Sequence, residues 1–233
     1  MTPFSLTGLA YVFEGLYVLA ISLRFYQYYK KTGYLLAKLF FYPCFFAAVA
    51  FFLWGGPSLF THDPTFLKIG YILSIGFLFS GAFWGGKIPA ELGIKIFPKN
   101  FRFLLLIIGA ILVFLNIIYP PSPFVDSLGI LKWGLNLKVS FVFVFSLILL
   151  TLTYCLGFFK SAIRIKELGT KRGLIISVSG LFALIGGPLT QITINSDLII
   201  LGHIFLLFSG IFAAISIIFY PPLYQEKWMK RNV

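Results

Sequence analysis

The sequence predicts an all-α integral membrane protein, a bundle of seven transmembrane helices with its N-terminus outside and its C-terminus in the cytoplasm. Three observations predict it. Of 233 residues, 59% are hydrophobic and only 11% are charged, against about 25% charged in a soluble domain. Long apolar runs recur along the whole chain, each of the roughly 17–25 residues that cross the hydrocarbon. Basic residues gather in alternate connections between those runs, which is how orientation is encoded.

Seven runs qualify: Leu6–Tyr28, Tyr34–Gly55, Phe66–Gly86, Phe101–Tyr119, Val139–Phe159, Gly173–Thr193 and Leu198–Tyr220. They are continuously apolar, whereas barrel strands would alternate apolar and polar over shorter lengths, so helices are expected. The first run has no basic flank before it and no small-residue cleavage site, and reads as a retained helix. Residues 1–233 read as a single transmembrane domain.

The alternation of charge leaves only Lys68, Lys132 and Lys138 of the 19 lysines and arginines on the outer side. Six or eight spans would break that alternation. Tryptophans are expected at the membrane surfaces, Trp54 and Trp133 at the outer one and Trp84 and Trp228 at the inner one. Phe25, Tyr26, Tyr28 and Tyr29 would form an inner girdle. In the longest connection, residues 120–138, Phe124, Val125, Leu128, Leu131, Trp133 and Leu135 suggest a short interfacial helix.

Two segments repeat. Gly55-Gly56-Pro57 and Gly186-Gly187-Pro188 each precede an acid-bearing connection, with Asp63 or Asp197. The spans that follow carry Phe77-Leu78-Phe79-Ser80-Gly81 and Leu206-Leu207-Phe208-Ser209-Gly210. An offset of four helices implies a three-plus-one-plus-three parallel repeat with halves 1–87 and 139–222. Parallel repeats recur in secondary transporters. The architecture is similar to that of small sugar exporters and, in topology alone, of seven-helix receptors and rhodopsins, and no motif assigns the chain to any of them.

Ionisable groups inside apolar spans are costly and therefore mark functional candidates. Glu14 lies in the first span among Phe13, Leu16, Tyr17 and Val18, and His203 lies a short way into the seventh from the same side. Were those helices neighbours, the two would pair, and a Glu–His pair can move protons or hold a cation. One structural hydrogen bond between helices accounts for them more simply and is the favoured reading. Gln191 and Asn116 join them as candidate ligand- or proton-binding residues, although both lie near the headgroups, where polar side chains are ordinary. Pro43 and Pro188 fall inside helices and favour kinks.

Other chemistry lacks residues to carry it. The last span contains no lysine for a retinal Schiff base, and His203 is the one histidine available in a span for haem. Cys44 and Cys155 have no metal-ligand spacing, and no phosphate loop or carboxylate cluster is present. No catalytic residue, cofactor or metal is expected, and an enzyme is the least expected class. The net charge of +12 lies in clusters between spans, which points to anionic headgroups at the cytoplasmic face and not to nucleic acid. The expected setting is a prokaryotic cell membrane. The function expected is a non-catalytic sensor or scaffold subunit acting through a membrane or cytoplasmic partner. The alternative is a small-solute transporter, proton-coupled through Glu14.

Overall fold

A computed structural model describes residues 5–91, 100–164 and 168–218. Within them the chain forms α1 (Leu6–Thr32), α2 (Leu35–Phe60), α3 (Pro64–Gly85), the short α4 (Ile88–Glu91) and α5 (Phe101–Ile118). A two-stranded hairpin follows, β1 (Phe124–Val125) and β2 (Leu131–Lys132), then α6 (Leu137–Arg164), α7 (Leu168–Ile192) and α8 (Ser196–Ile218). Six helical stretches are long and apolar enough to cross a membrane; within α6 the described apolar stretch, Leu137–Leu152, is shorter. Large apolar side chains such as Phe60, Phe114, Phe141 and Leu137 face outward, as they would toward lipid. Trp228 and the basic tail lie outside the described residues.

The long helices follow one another around the bundle in chain order, and α8 returns to pack on α1. Local chemistry sets their ends. At one end of the bundle the helices begin on side-chain caps, each satisfying a backbone N–H that the first turn leaves free. Ser5 Oγ accepts from the Gly8 N–H, Asp63 Oδ1 from Thr65, Asn136 Oδ1 from Lys138 and Asn195 Oδ1 from Asp197. At the opposite end α1 stops at Gly33, whose φ of 69° is a left-handed conformation suited to glycine. Cations there lie over aromatic rings, Lys87 on Trp84 at 5.8 Å and Arg102 on Phe103 at 4.6 Å.

The second span is longer than its sequence suggested. Helix α2 runs through Pro43 and Pro57 to Phe60, because the Thr61 N–H still closes on the Pro57 carbonyl at 3.0 Å. The carbonyl of Leu53, which Pro57 cannot pair, faces Gly70 of α3, where a Cβ would stand 2.7 Å away. Helix α7 likewise continues through Pro188.

Glycines set the closest crossings. A Cβ on Gly55 would sit 2.3 Å from the Gly8 carbonyl of α1, and one on Gly186 would sit 2.7 Å from the Gly202 carbonyl of α8. The two Gly-Gly-Pro strings therefore pack differently, one against the preceding helix and the other against the following one. We expect Gly55→Ala to lower stability by about 1–3 kcal/mol, the usual range for overpacking, measured by thermal unfolding in detergent. An unchanged midpoint would mean that the α1–α2 crossing relaxes freely.

The connection after α5 corrects the expected interfacial helix. Pro120, Pro121 and Pro123 cannot donate backbone hydrogen bonds, and the chain turns back as an antiparallel pair with Phe124 opposite Lys132 and Val125 opposite Leu131. Asp126 Oδ1 closes the turn by accepting from the N–H groups of Leu128 and Ile130, both at 2.9 Å. Gly129 takes the positive φ of 77° that the turn demands.

Candidate functional site

Helix α1 buries one stripe, Thr7, Gly8, Tyr11, Glu14, Gly15 and Ser22, at the three- and four-residue spacing of a single helix face. Tyr11 and Glu14 are thus one turn apart and point into the bundle together. Because α8 closes on α1, His203 meets Glu14, with Nδ1 2.8 Å from Oε1. Both residues are buried. The Tyr11 ring and the imidazole meet in a T-shaped arrangement, with centroids 4.6 Å apart.

Tyr11 is the hub. Its hydroxyl donates to the Thr190 carbonyl at 3.1 Å, one of the last-turn carbonyls of α7 that the helix itself leaves without a partner. The same oxygen accepts from Gln191 Nε2 at 2.9 Å and from Trp133 Nε1 at 3.4 Å. Since the phenol proton is committed to Thr190, Gln191 must present its NH2 group, and its Oε1 is turned elsewhere. Trp54 packs on the Tyr11 ring at 5.8 Å, and Tyr71 packs on Trp133 at 4.6 Å.

Around this hub polar atoms are left over. Glu14 Oε2, His203 Nε2, Gln191 Oε1, Trp54 Nε1 and Tyr71 Oη are all buried with no hydrogen-bond partner. Each costs about 1–3 kcal/mol if nothing satisfies it, and native interiors carry few. They come from α1, α2, α3, α7 and α8, so five helices each contribute one. Chemically, such a group of atoms can bond water, a proton or a solute.

Of the candidates named from sequence, Glu14 and His203 are in contact and Gln191 joins them through Tyr11. Asn116 is apart from that network. It is fully buried, but its Nδ2 donates to the Leu112 carbonyl of its own helix at 2.8 Å. Its Oδ1 has no partner. Pro188 lies close to Thr190 and Gln191 in sequence, and Pro43 is in a different part of its own helix, well away from Trp54. Sequence reasoning missed Tyr11, Tyr71 and the inward role of two tryptophans. Trp133 is packed inside the bundle and does not face outward: only 1% of it is exposed. Its place one residue after β2 turns it into the bundle, and Tyr11 at three residues before Glu14 was the available signal for the hub.

The hairpin caps this site from the end where α1 begins. Gly129 accepts from the Leu6 N–H at 2.8 Å, and Thr7 Oγ1 accepts from the Leu131 N–H at 2.7 Å. Asp126 Oδ2 accepts from Ser196 at the start of α8 and pairs with Lys132, both at 2.9 Å. Partial burial alone would raise the Asp126 carboxyl. The hydrogen bonds from Lys132, from the Ile130 N–H, from Ser196 and from the Leu128 N–H outweigh it and bring the group down to about 2. A carboxyl lowered on folding stabilises the fold above its ordinary value, about 3.9, and that contribution is lost as pH falls through about 2. We expect the wild type to lose hairpin protection between those values, and Asp126→Asn to lack that step, read by hydrogen exchange at Leu128 and Ile130.

Cys155 and Ser177 clasp α6 to α7, Ser177 Oγ donating to the Cys155 carbonyl at 3.2 Å. Among the described residues no group of three or more His, Cys, Asp or Glu side chains stands together as a metal site would require. Comparison with known protein families, with curated proteins and with solved structures found no match to this chain.

Proposed function

We propose that the chain is a seven-span transporter that binds a small solute inside the outer half of its bundle and exchanges it against a proton held by Glu14 and His203. The single observation behind this reading is the group of five unpartnered buried polar atoms around Tyr11 and Trp133. A bundle that served only as a scaffold would have little reason to keep them, because each costs about 1–3 kcal/mol when nothing satisfies it. A carboxyl bonded to an imidazole is a natural place to hold and release a proton.

The orientation supports an outward-facing site. Lys68, Lys132 and Lys138 belong to the end of the bundle where α1 begins, and the sequence topology assigns the remaining 16 of the 19 basic residues to the other side, the cytoplasmic one by charge bias. Glu14, Gln191 and His203 then lie nearer the outside. The three-plus-one-plus-three repeat belongs to this reading on sequence grounds, its glycines having taken different packing partners in the two halves.

A second reading keeps the same site and makes the protein a sensor or scaffold subunit that reports occupancy to a partner. The short connections between the described helices favour it, since they hold no output domain. Native mass spectrometry of the protein released gently from its own membrane separates the two. The transporter reading expects a monomer or homo-oligomer that retains a small non-lipid solute. A second protein held at fixed stoichiometry would replace it with the sensor reading.

A further inference from the structure

We infer that the solute is a small organic cation of the ammonium type, bound between the free oxygen of Glu14 and the surrounding aromatic rings in place of the proton that Glu14 shares with His203. This rests on the transport reading and adds the chemistry of its cargo.

Charge comes first. Among the described residues, Glu14 and His203 are the only buried members of the Asp, Glu, Lys, Arg and His set. With one proton between them the site is neutral, and with none it carries a single negative charge. A monovalent cation restores neutrality, so loading the cation and releasing the proton are alternatives, which is what exchange requires. An anionic solute would meet a carboxylate whose one buried basic neighbour among the described residues, His203, is already engaged with it at 2.8 Å. Lys132 is no substitute, being paired with Asp126 at 2.9 Å.

The donor and acceptor inventory agrees. Two of the five free atoms, Glu14 Oε2 and Gln191 Oε1, can only accept hydrogen bonds. Tyr71 Oη and His203 Nε2 can do either, and only Trp54 Nε1 is limited to donating. Atoms that can accept predominate in that set, which suits a cation better than a carboxylate or phosphate. Tyr11, Trp54, Tyr71 and Trp133 form a connected aromatic group. Ring faces attract cations, most strongly where water is excluded.

The titratable groups facing Glu14 are few. His203 reaches it from α8, and Tyr11 and Tyr17 flank it on α1, Tyr17 donating its hydroxyl to the Leu206 carbonyl at 2.9 Å. Tyr71 of α3 stands beyond Tyr11, α2 buries no titratable side chain among its core residues, and the hairpin brings only the Asp126–Lys132 pair. A proton released when the cation binds therefore comes from the Glu14–His203 pair.

The test uses the full chain in lipid nanodiscs. Tryptophan fluorescence, to which Trp54 and Trp133 contribute two of the four indoles, is followed during titration with tetramethylammonium, with tert-butanol as a neutral body of similar shape and with acetate as an anion. Sodium chloride controls for ionic strength, and an indicator in weak buffer reads proton release. Tetramethylammonium should saturate and release a proton for each cation bound. Glu14→Gln should weaken binding by about tenfold or more and end proton release, whereas Glu14→Asp, which keeps the charge, should retain both. Circular dichroism shows that each variant is folded. Saturation by tert-butanol or acetate in the same range overturns the cation assignment while leaving a solute site standing. Cation binding that survives Glu14→Gln undiminished, or no saturable response to tetramethylammonium, also overturns it; a different solute retained in native mass spectrometry would then preserve the transport reading alone.

Discussion

Replacing Glu14 by glutamine is expected to abolish proton-driven accumulation of the solute while leaving the bundle folded. The amide is nearly isosteric with the carboxyl and can keep a hydrogen bond to His203 Nδ1, so the 2.8 Å contact between α1 and α8 survives in altered form. What disappears is the group that can take up and give back a proton. Stability should therefore change by less than about 1 kcal/mol, whereas Glu14→Ala, which leaves the imidazole buried without its partner, should cost about 1–3 kcal/mol. The measurement is uptake into proteoliposomes across an imposed pH difference, using the small molecule that the protein retains on release from its membrane. The glutamine variant should still equilibrate that solute and fail to concentrate it. Concentrative uptake at the wild-type rate would remove Glu14 from the coupling role and return the pair to a structural bond.

The sequence carried the helices because continuous apolar length is a local property. Ends moved where single residues decide them: α2 passes Pro57 because a proline removes one hydrogen bond without ending a helix that α1 and α3 already hold. Glu14 and His203 were legible for the opposite reason, since an ionisable side chain in an apolar run stands out without any knowledge of its surroundings. Their contact was not legible, because it depends on α8 closing onto α1. The hub was hidden more completely. Tyrosine and tryptophan are common here, with 12 and 4 copies, and a membrane chain places them at its surfaces by default. Only the fold of the hairpin, set by three prolines, Asp126 and Gly129, sends Trp133 inward. Asn116 shows the limit of polarity as a marker. It looked like Gln191 in sequence, but its NH2 group is spent on its own helix.

The role of that hairpin leads to the second large effect, that of Trp133→Ala. The indole is 1% exposed, packs at a tilt on Tyr71 at 4.6 Å and donates to Tyr11. Truncating so large a buried ring should cost about 3–5 kcal/mol. The remaining tethers are a handful of polar contacts, to Leu6, Thr7 and Ser196, that water can replace when the indole no longer anchors the turn. The hairpin should then lift, and Gln191 and Tyr11 should become reachable from outside. A Gln191→Cys reporter, in a chain whose Cys44 and Cys155 are replaced by alanine, measures this through its reaction with a membrane-impermeant thiol reagent. Adding Trp133→Ala should speed labelling by about tenfold or more, in line with the loss of a closed state held by several kcal/mol. Trp133→Phe separates the two functions of the side chain. It keeps the ring against Tyr71 and loses only the bond to Tyr11, so it should cost about 0.5–1.5 kcal/mol and label almost as slowly as the parent. Rapid labelling in the parent, or equal rates in all three, would mean that the hairpin is no barrier and that the solute reaches Tyr11 by another route.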